Sequence, residues 1–143
     1  MARILGLDLG SYSVKAVSLV TTLRGFQVGS YWEERVPPVA EGAALLDAQV
    51  QATGALMARL GFTPDSIVCG VPGTEVITRL LRLPFTDSRK IDQVVGFEVG
   101  EQLPFEVEDV VIDHQVVASD GQAADVLVAV MRRDRMAELL DKF

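Results

Sequence analysis

The stretch ILGLDLGSYSVKAVSLV, residues 4–20, constrains this chain most. Two apolar runs flank a Gly-Ser pair, Gly10-Ser11, so the segment reads as two strands joined by a tight turn. Asp8 interrupts the first run and Lys15 the second. An aspartate near the end of a buried strand is costly unless it meets a cation or a donor. A turn just beyond it presents backbone N–H groups that make a nest for an anion. Lys15, on the returning strand, brings a positive charge to the same rim. These parts suit the β and γ phosphates of a nucleotide with magnesium. Asp8 would hold the metal through water. Amides of Gly10, Ser11, Tyr12 and Ser13 would hold phosphate oxygens, and Lys15 would act as a point charge. The same residues also fit a plain hairpin, in which Asp8 bonds a loop amide and Lys15 faces solvent.

The pattern continues with a hairpin turn over Thr21–Gly25 and a third strand, FQVGSYWEERV (26–36), with Phe26, Val28, Ser30 and Trp32 on one face. Gly42 to Leu60 carries Leu46, Val50, Thr53, Met57 and Leu60 at helical spacing, closed by Gly61 and Pro64. SIVCGVPG (66–73) reads as a buried strand, and its Cys69 as an inert buried thiol. The order β-β-β-α-β is the opening half of a ribonuclease H-like layout, an α/β fold with a mixed sheet. EVITRLLRLP (75–84) alternates as a strand. Asp87 or Ser88 caps a helix running to about Gln102, with Ile91, Val94, Val95 and Val99 on its stripe. Residues 109–119 form a strand and Asp120-Gly121 a hairpin turn. Residues 125–131 are nearly all apolar, which suits a central strand covered on both faces. A last helix starts near Arg133 and presents Met136, Leu139, Leu140 and Phe143. The tripeptide Leu-Pro-Phe occurs at 83–85 and 103–105 and brackets the second helix as punctuation. The final helical pattern reaches Phe143 with no stop signal, so the expectation is a chain cut before a second half.

With 143 residues, 49% of them apolar, the chain can bury a core as one domain or part of a larger one. A net charge of −7 argues against a nucleic-acid partner. One cysteine excludes an internal disulfide. No leader pattern follows MARIL, and no apolar run approaches the roughly 20 residues that span a bilayer. A soluble cytoplasmic protein is expected. His114 has no second ligand at metal-site spacing. Arg132, Arg133 and Arg135 read as a solvated cluster. Arg79 and Arg82, with Phe85, Phe97 and Phe105, suit a peptide groove, since aromatics with arginine are typical of interaction hot spots. The same phenylalanines also suit plain helix-on-sheet packing.

GLDLGSYSVKAV resembles the first phosphate motif of the actin, Hsp70 and sugar-kinase superfamily, in which an Asp is followed by Gly-Ser or Gly-Thr and then a Lys; Asp8, Gly10, Ser11 and Lys15 fit it. ITRLLRLPFTDSRKIDQVVGFEVGEQLPFEVEDVVIDHQVV resembles a segment of the pilus-assembly protein PilM and of the cytoplasmic part of the secretion protein GspL. The shared pattern is a basic strand ending in Leu-Pro, a helix rich in Glu and Phe, a Pro-Phe, and an acidic run into the next strand. The resemblance implies an actin-like ATPase fold related to FtsA. Residues 1–73 and 123–143 would form subdomain 1A, and 74–122 a small inserted α+β subdomain, 1C. It implies a cytoplasmic scaffold of a type IV pilus or type II secretion assembly platform, at the inner face of the bacterial inner membrane. The partner would be a cytoplasmic peptide of a PilN-like inner-membrane protein or a GspE-like secretion ATPase, docked at Arg79, Arg82, Phe97 and Phe105. Membrane association would be indirect or through a further C-terminal region, and a homodimer is left open. ATP and magnesium are implied for the full-length protein. This piece lacks the later phosphate and adenosine motifs, so no cofactor, weak or no hydrolysis and no catalytic residue are expected of it alone. The alternative is the front half of a sugar- or acetate-kinase-like phosphotransferase with the same first motif. The short acidic insert between Gly73 and Ala123 favours the scaffold. A third reading is an interaction domain in which Asp8 and Lys15 are relics.

Overall fold

The structure, a computed structural model, describes residues 2–39 and 43–143. It divides into two compact units, Met1–Pro72 with Lys142–Phe143, and Gly73–Asp141. The first contains strands β1 (Arg3–Leu9), β2 (Ser13–Thr22), β3 (Gly25–Arg35) and β4 (Ser66–Cys69) and helix α1 (Ala43–Ala58). The strands form one sheet in the order β3-β2-β1-β4. β4 runs parallel to β1, while the two hairpin pairs are antiparallel. Alternation in β1 sends Leu5, Leu7 and Leu9 into the core and leaves Ile4, Gly6 and Asp8 on the other face. α1 lies against β2 and β3. Its buried face is Ala48, Gln49, Ala52, Thr53 and Leu56, with Leu60 buried just beyond its end, turned about one residue from the expected stripe. The alanines explain the turn: a small-residue face lets the helix approach the sheet closely, and Leu46, Val50 and Met57 flank it half-buried. Gly61 adopts φ +70, the left-handed conformation expected of a residue that ends a helix. The expected helix start at Gly42 lies outside the described residues.

Two expectations for this unit fail. β4 is exposed over Ser66–Val68 rather than buried, because among the described residues it is an edge strand paired only with β1. In β3 the pairing register shifts opposite Ser18. Trp32 pairs with Ala16 on the core side, whereas Val28 pairs with Leu19 and Phe26 with Thr21. The bulge therefore turns Phe26 and Val28 away from the face that Trp32 shares with α1. Ser18 Oγ accepts from the Ser30 amide at 2.9 Å. A Cβ on Gly29 would lie 2.5 Å from that oxygen, so Gly29 and Ser30 are the residues that admit the bulge.

The second unit holds β5 (Val76–Leu83), α2 (Ser88–Gly100), β6 (Val110–Ser119), β7 (Ala124–Arg132) and α3 (Arg133–Lys142), the last reaching the unit boundary. Its sheet is antiparallel in the order β5-β7-β6. Asp87 is the N-cap of α2 and accepts from the Lys90 amide at 3.0 Å. Ile91, Val95 and Val99 of α2 close over Leu81, Leu83, Val126, Val128 and Val130. The expectation that the chain returns to the first unit at 123 fails. β7 pairs with β6 across the Asp120–Gly121 turn and with β5 on its other side. A strand leaving a tight hairpin finds its neighbour at once, and local pairing wins over a distant sheet. β7 is central as expected, but its second face is only partly covered, and Leu127 on it is exposed.

Candidate functional site

The register of the first hairpin sets the site. Asp8 lies directly opposite Lys15, and Lys15 directly opposite Glu33. All three therefore stand on the sheet face away from α1. Lys15 Nζ lies 3.7 Å from Asp8 Oδ2, with the two side chains 41% and 71% exposed. Asp8 is thus not a buried acid: β1 is covered on one face only, so the alternating acid reaches water and escapes the desolvation cost expected of it.

The loop Gly10–Tyr12 joins the strands above this pair. A Cβ on Gly10 would lie 2.6 Å from the Ser13 carbonyl oxygen, so the bend requires glycine. Ser11 is exposed. Tyr12 is exposed and its ring lies 4.7 Å from the Arg35 guanidinium, which also donates to the Tyr12 hydroxyl. The Val36 amide donates to the Tyr12 carbonyl at 2.9 Å. Ser13 is buried, and its hydroxyl donates to Glu33. That bond, with those from Tyr31 and the charge of Lys15, holds the Glu33 carboxyl below its usual range against opposing desolvation. Partial burial and the nearby Glu33 push the Tyr31 hydroxyl up. Below the loop, buried Gln49 donates Nε2 to the carbonyls of Leu9 at 3.1 Å and Gly10 at 3.2 Å.

Asp8, Gly10, Ser11, Tyr12, Ser13 and Lys15 therefore gather at one hairpin end. Glu33 and Gln49 complete the surroundings and were not anticipated. Glu33 was accessible from the alternation of the third strand once its register was known. Gln49 was hidden by the one-residue rotation of α1. Cys69, expected to be buried, is half-buried; burial first, then the Asp8 carboxylate, push its thiol up, so it favours the protonated, unreactive form. Among the described residues no group of three or more His, Cys, Asp and Glu side chains gathers as for a metal ion. Magnesium held mainly by water and phosphate would need only one or two carboxylates, and Asp8 is a carboxylate that could serve.

The expected partner-binding set does not converge. Arg79 pairs with Val128 on the face covered by α2, whereas Arg82 pairs with Asp125 on the opposite face. Arg82 is bound by Asp120 and Asp125. Phe97 projects from the outer side of α2, away from Ile91, Val95 and Val99. Strand alternation split the arginines, a consequence that their spacing of three already carried. Phe105 differs: its ring lies 5.6 Å from the Arg132 guanidinium. Both border a cavity of about 200 Å³ within the second unit, floored by Ile77, Val110 and Val130 and rimmed by Glu75 and Arg135.

The arginines expected in solvent instead bind protein. Arg135 holds Glu75 through two bonds of 3.1 and 3.0 Å and also pairs with Glu138. Those bonds hold the Glu75 carboxyl below its usual range. Arg133 donates to the carbonyls of Glu108 at 3.2 Å and Val110 at 2.9 Å. His114 lies 3.2 Å from Asp92, joining β6 to α2.

The model of the family described as type IV pilus assembly protein PilM matches residues 6–142. Over 65 residues the chain is 37% identical to the type II secretion system protein L of Xanthomonas campestris pv. campestris, covering 44% of this chain and 17% of that protein. Among solved structures, the PilM–PilN type IV pilus biogenesis complex superposes with TM-score 0.78 at 23% identity, covering 97% of this chain and 43% of that one. The cytoplasmic domain of EpsL, an inner-membrane component of the type II secretion system of Vibrio cholerae, superposes with TM-score 0.55 at 16% identity, covering 99% and 52%. The chain spans about half or less of the length of these relatives. No helix among the described residues is long and apolar enough to cross a membrane.

Proposed function

Because this chain belongs to the PilM family of type IV pilus assembly proteins, with the actin-like fold that family shares with GspL, we propose that it is an assembly-platform scaffold that binds ATP with magnesium and docks a PilN-like partner. Family membership sets aside the sugar- and acetate-kinase alternative. The observation that carries the nucleotide reading is the 3.7 Å approach of Lys15 to Asp8 beneath a loop that only glycine can turn. Magnesium would neutralise phosphate charge. Asp8 orients its water shell, the Gly10–Ser13 amides receive phosphate oxygens, and Lys15 offsets their charge. The partner reading draws on the PilM–PilN complex among the superposable structures. The cavity beside Phe105 and Arg132 offers an apolar floor, which suits an apolar side chain, under a rim of paired charges. A place at the inner face of the inner membrane follows from such a partner.

Calorimetric titration of the full-length chain with Mg·ATP tests the first half. Binding is expected for the wild type, with affinity lowered at least about tenfold in Lys15→Ala and Asp8→Asn. Equal affinity in all three would overturn it. For the second half, a PilN-like N-terminal peptide is titrated against wild type and Phe105→Ala; loss of binding only in the variant supports the cavity, and unchanged binding rejects it.

A further inference from the structure

We propose that Gln49 of α1 is the positioning residue of the phosphate loop: its side-chain amide turns two successive backbone N–H groups toward the face that carries Asp8 and Lys15. The inference rests on the nucleotide reading for its purpose, but its geometry stands alone. Gln49 is 5% exposed and belongs to the face of α1 that packs on the sheet. Its one Nε2 group donates to both the Leu9 and the Gly10 carbonyl, at 3.1 and 3.2 Å. Thr53 Oγ1 donates to the Gln49 carbonyl at 2.7 Å. In a trans peptide the C=O and the following N–H point in opposite directions, and every described peptide here is trans. Drawing the Leu9 carbonyl toward α1 therefore sends the Gly10 N–H away from α1. Drawing the Gly10 carbonyl the same way sends the Ser11 N–H in the same direction.

That direction is the face of Asp8, Lys15 and Glu33, since Leu9 and Ala16 turn to the α1 side. Two parallel amide donors beside one ammonium make an anion nest. A carboxylate or an apolar residue at position 49 cannot do this. Only a donor with two hydrogens reaches both carbonyls, and the Gln amide has two. The buried polar group, otherwise a costly choice on a packed helix face, thus has a function. It also ties the position of α1 to the phosphate site, so a displacement of this helix would alter anion affinity.

The test uses the full-length chain in three forms. Gln49→Met fills the same space without donors. Gln49→Glu can donate one bond while protonated and none when ionised. The first readout is the ¹H–¹⁵N signals of Gly10 and Ser11 without ligand; the second is Mg·ATP affinity across pH 5 to 8. Expected in Gln49→Met are displaced Gly10 and Ser11 signals and affinity about tenfold weaker, the scale of one hydrogen-bonded contact. In Gln49→Glu, affinity relative to wild type falls as pH rises and the side chain loses its proton. A purely space-filling glutamine predicts a silent Met variant and a Glu-to-wild-type ratio flat with pH, and that result overturns the proposal. Displaced signals together with a wild type that binds no Mg·ATP would uphold the loop-setting role and reject the nucleotide reading alone. Unmoved signals reject the loop-setting role whatever the nucleotide does. Should Gln49→Met fail to fold, Gln49→Glu decides by the same signals compared between pH 5 and 8: Gly10 and Ser11 signals that move as the side chain loses its proton uphold the role, and signals that track the wild type reject it.

Discussion

Replacing Gly10 with alanine is the sharpest test of the loop geometry. The new methyl would sit 2.6 Å from the Ser13 carbonyl oxygen, with the Ser13 carbonyl carbon at 3.7 Å and its nitrogen at 3.8 Å. An ordinary carbon–oxygen approach is about 3.3 Å, so one partner must retreat by roughly 0.7 Å. Ser13 is poorly placed to do so. It pairs with Arg35, its side chain is buried, and its hydroxyl is spent on Glu33. Gly10 must move instead, and its carbonyl is held by Gln49 at 3.2 Å, already at the long end for such a bond. Overpacking costs about 1–3 kcal/mol and a lost hydrogen bond about 1 kcal/mol, so we expect a loss of about 2–4 kcal/mol. In a unit of this size each kcal/mol lowers Tm by about 4–8 °C, which makes a fall of at least about 8 °C. Trp32 is the single tryptophan and packs 5.9 Å from Phe62 within the first unit, so its fluorescence follows this unit's melting. Gly54→Ala is the control: it lies in α1 with nothing within 4 Å of the added carbon. It should stabilise by about 0.5–1 kcal/mol through helix propensity. If Gly10→Ala melts within about 2 °C of wild type, a quarter of the smallest expected fall, the loop admits a side chain and glycine is not required at position 10.

Asp120 should govern the acid limb of the second unit. Its carboxyl accepts from the Ala123 and Gln122 amides and from Arg82, which lower it from 3.8 to about 2. A depressed folded-state pKa gives stability that is full above the unfolded value and is lost as pH falls through the folded one. Unfolding of this unit should therefore be flat with pH near neutrality and ease between pH 4 and 2, a slope that Asp120→Asn blunts. Glu75 and Asp134, also held low by arginine, act in the same sense. Ile91→Ala, at a fully buried site under α2, should cost about 2–5 kcal/mol in denaturant unfolding. Leu80→Ser, on the exposed face of β5, should stay within about 0.5 kcal/mol; a comparable loss at both sites would place the core elsewhere.

The parts legible in the sequence were those fixed by near neighbours. The Gly10 and Gly121 turns, the Asp87 cap and the Ile91-Val95-Val99 stripe are written in residues a few positions apart, and each is found where the pattern puts it. The parts that escaped depend on a partner far along the chain. Ser18 and Ser30 together make the bulge that turns Phe26 and Val28 over. Arg135 meets Glu75 from sixty residues away. Asp8 was read as buried because Gly6, its companion on the open face, has no side chain to declare that face polar. Gln49 looked like an ordinary helix residue beside the apolar stripe, since nothing local to α1 shows what the end of β1 needs.

The ion pairs differ in how firmly they hold their cations. Arg82 is shared between Asp120 and Asp125, and Arg135 between Glu75 and Glu138. Forked guanidinium contacts of that kind fix two elements at once. Lys15 is different in chemistry and in geometry. Its ammonium meets Asp8 at 3.7 Å, in an exposed pair that contributes no more than about 1 kcal/mol in water. Glu33, across the other strand, is already satisfied by Ser13 and Tyr31. Trading the Asp8 contact for a phosphate therefore costs the hairpin little. On the proposed nucleotide reading, the carboxylate so released would be free to orient the water shell of a magnesium ion. A tight buried pair at these two positions would have stabilised the turn better and served an incoming anion worse. The loose, half-exposed pairing is what the proposed phosphate site on this hairpin would require.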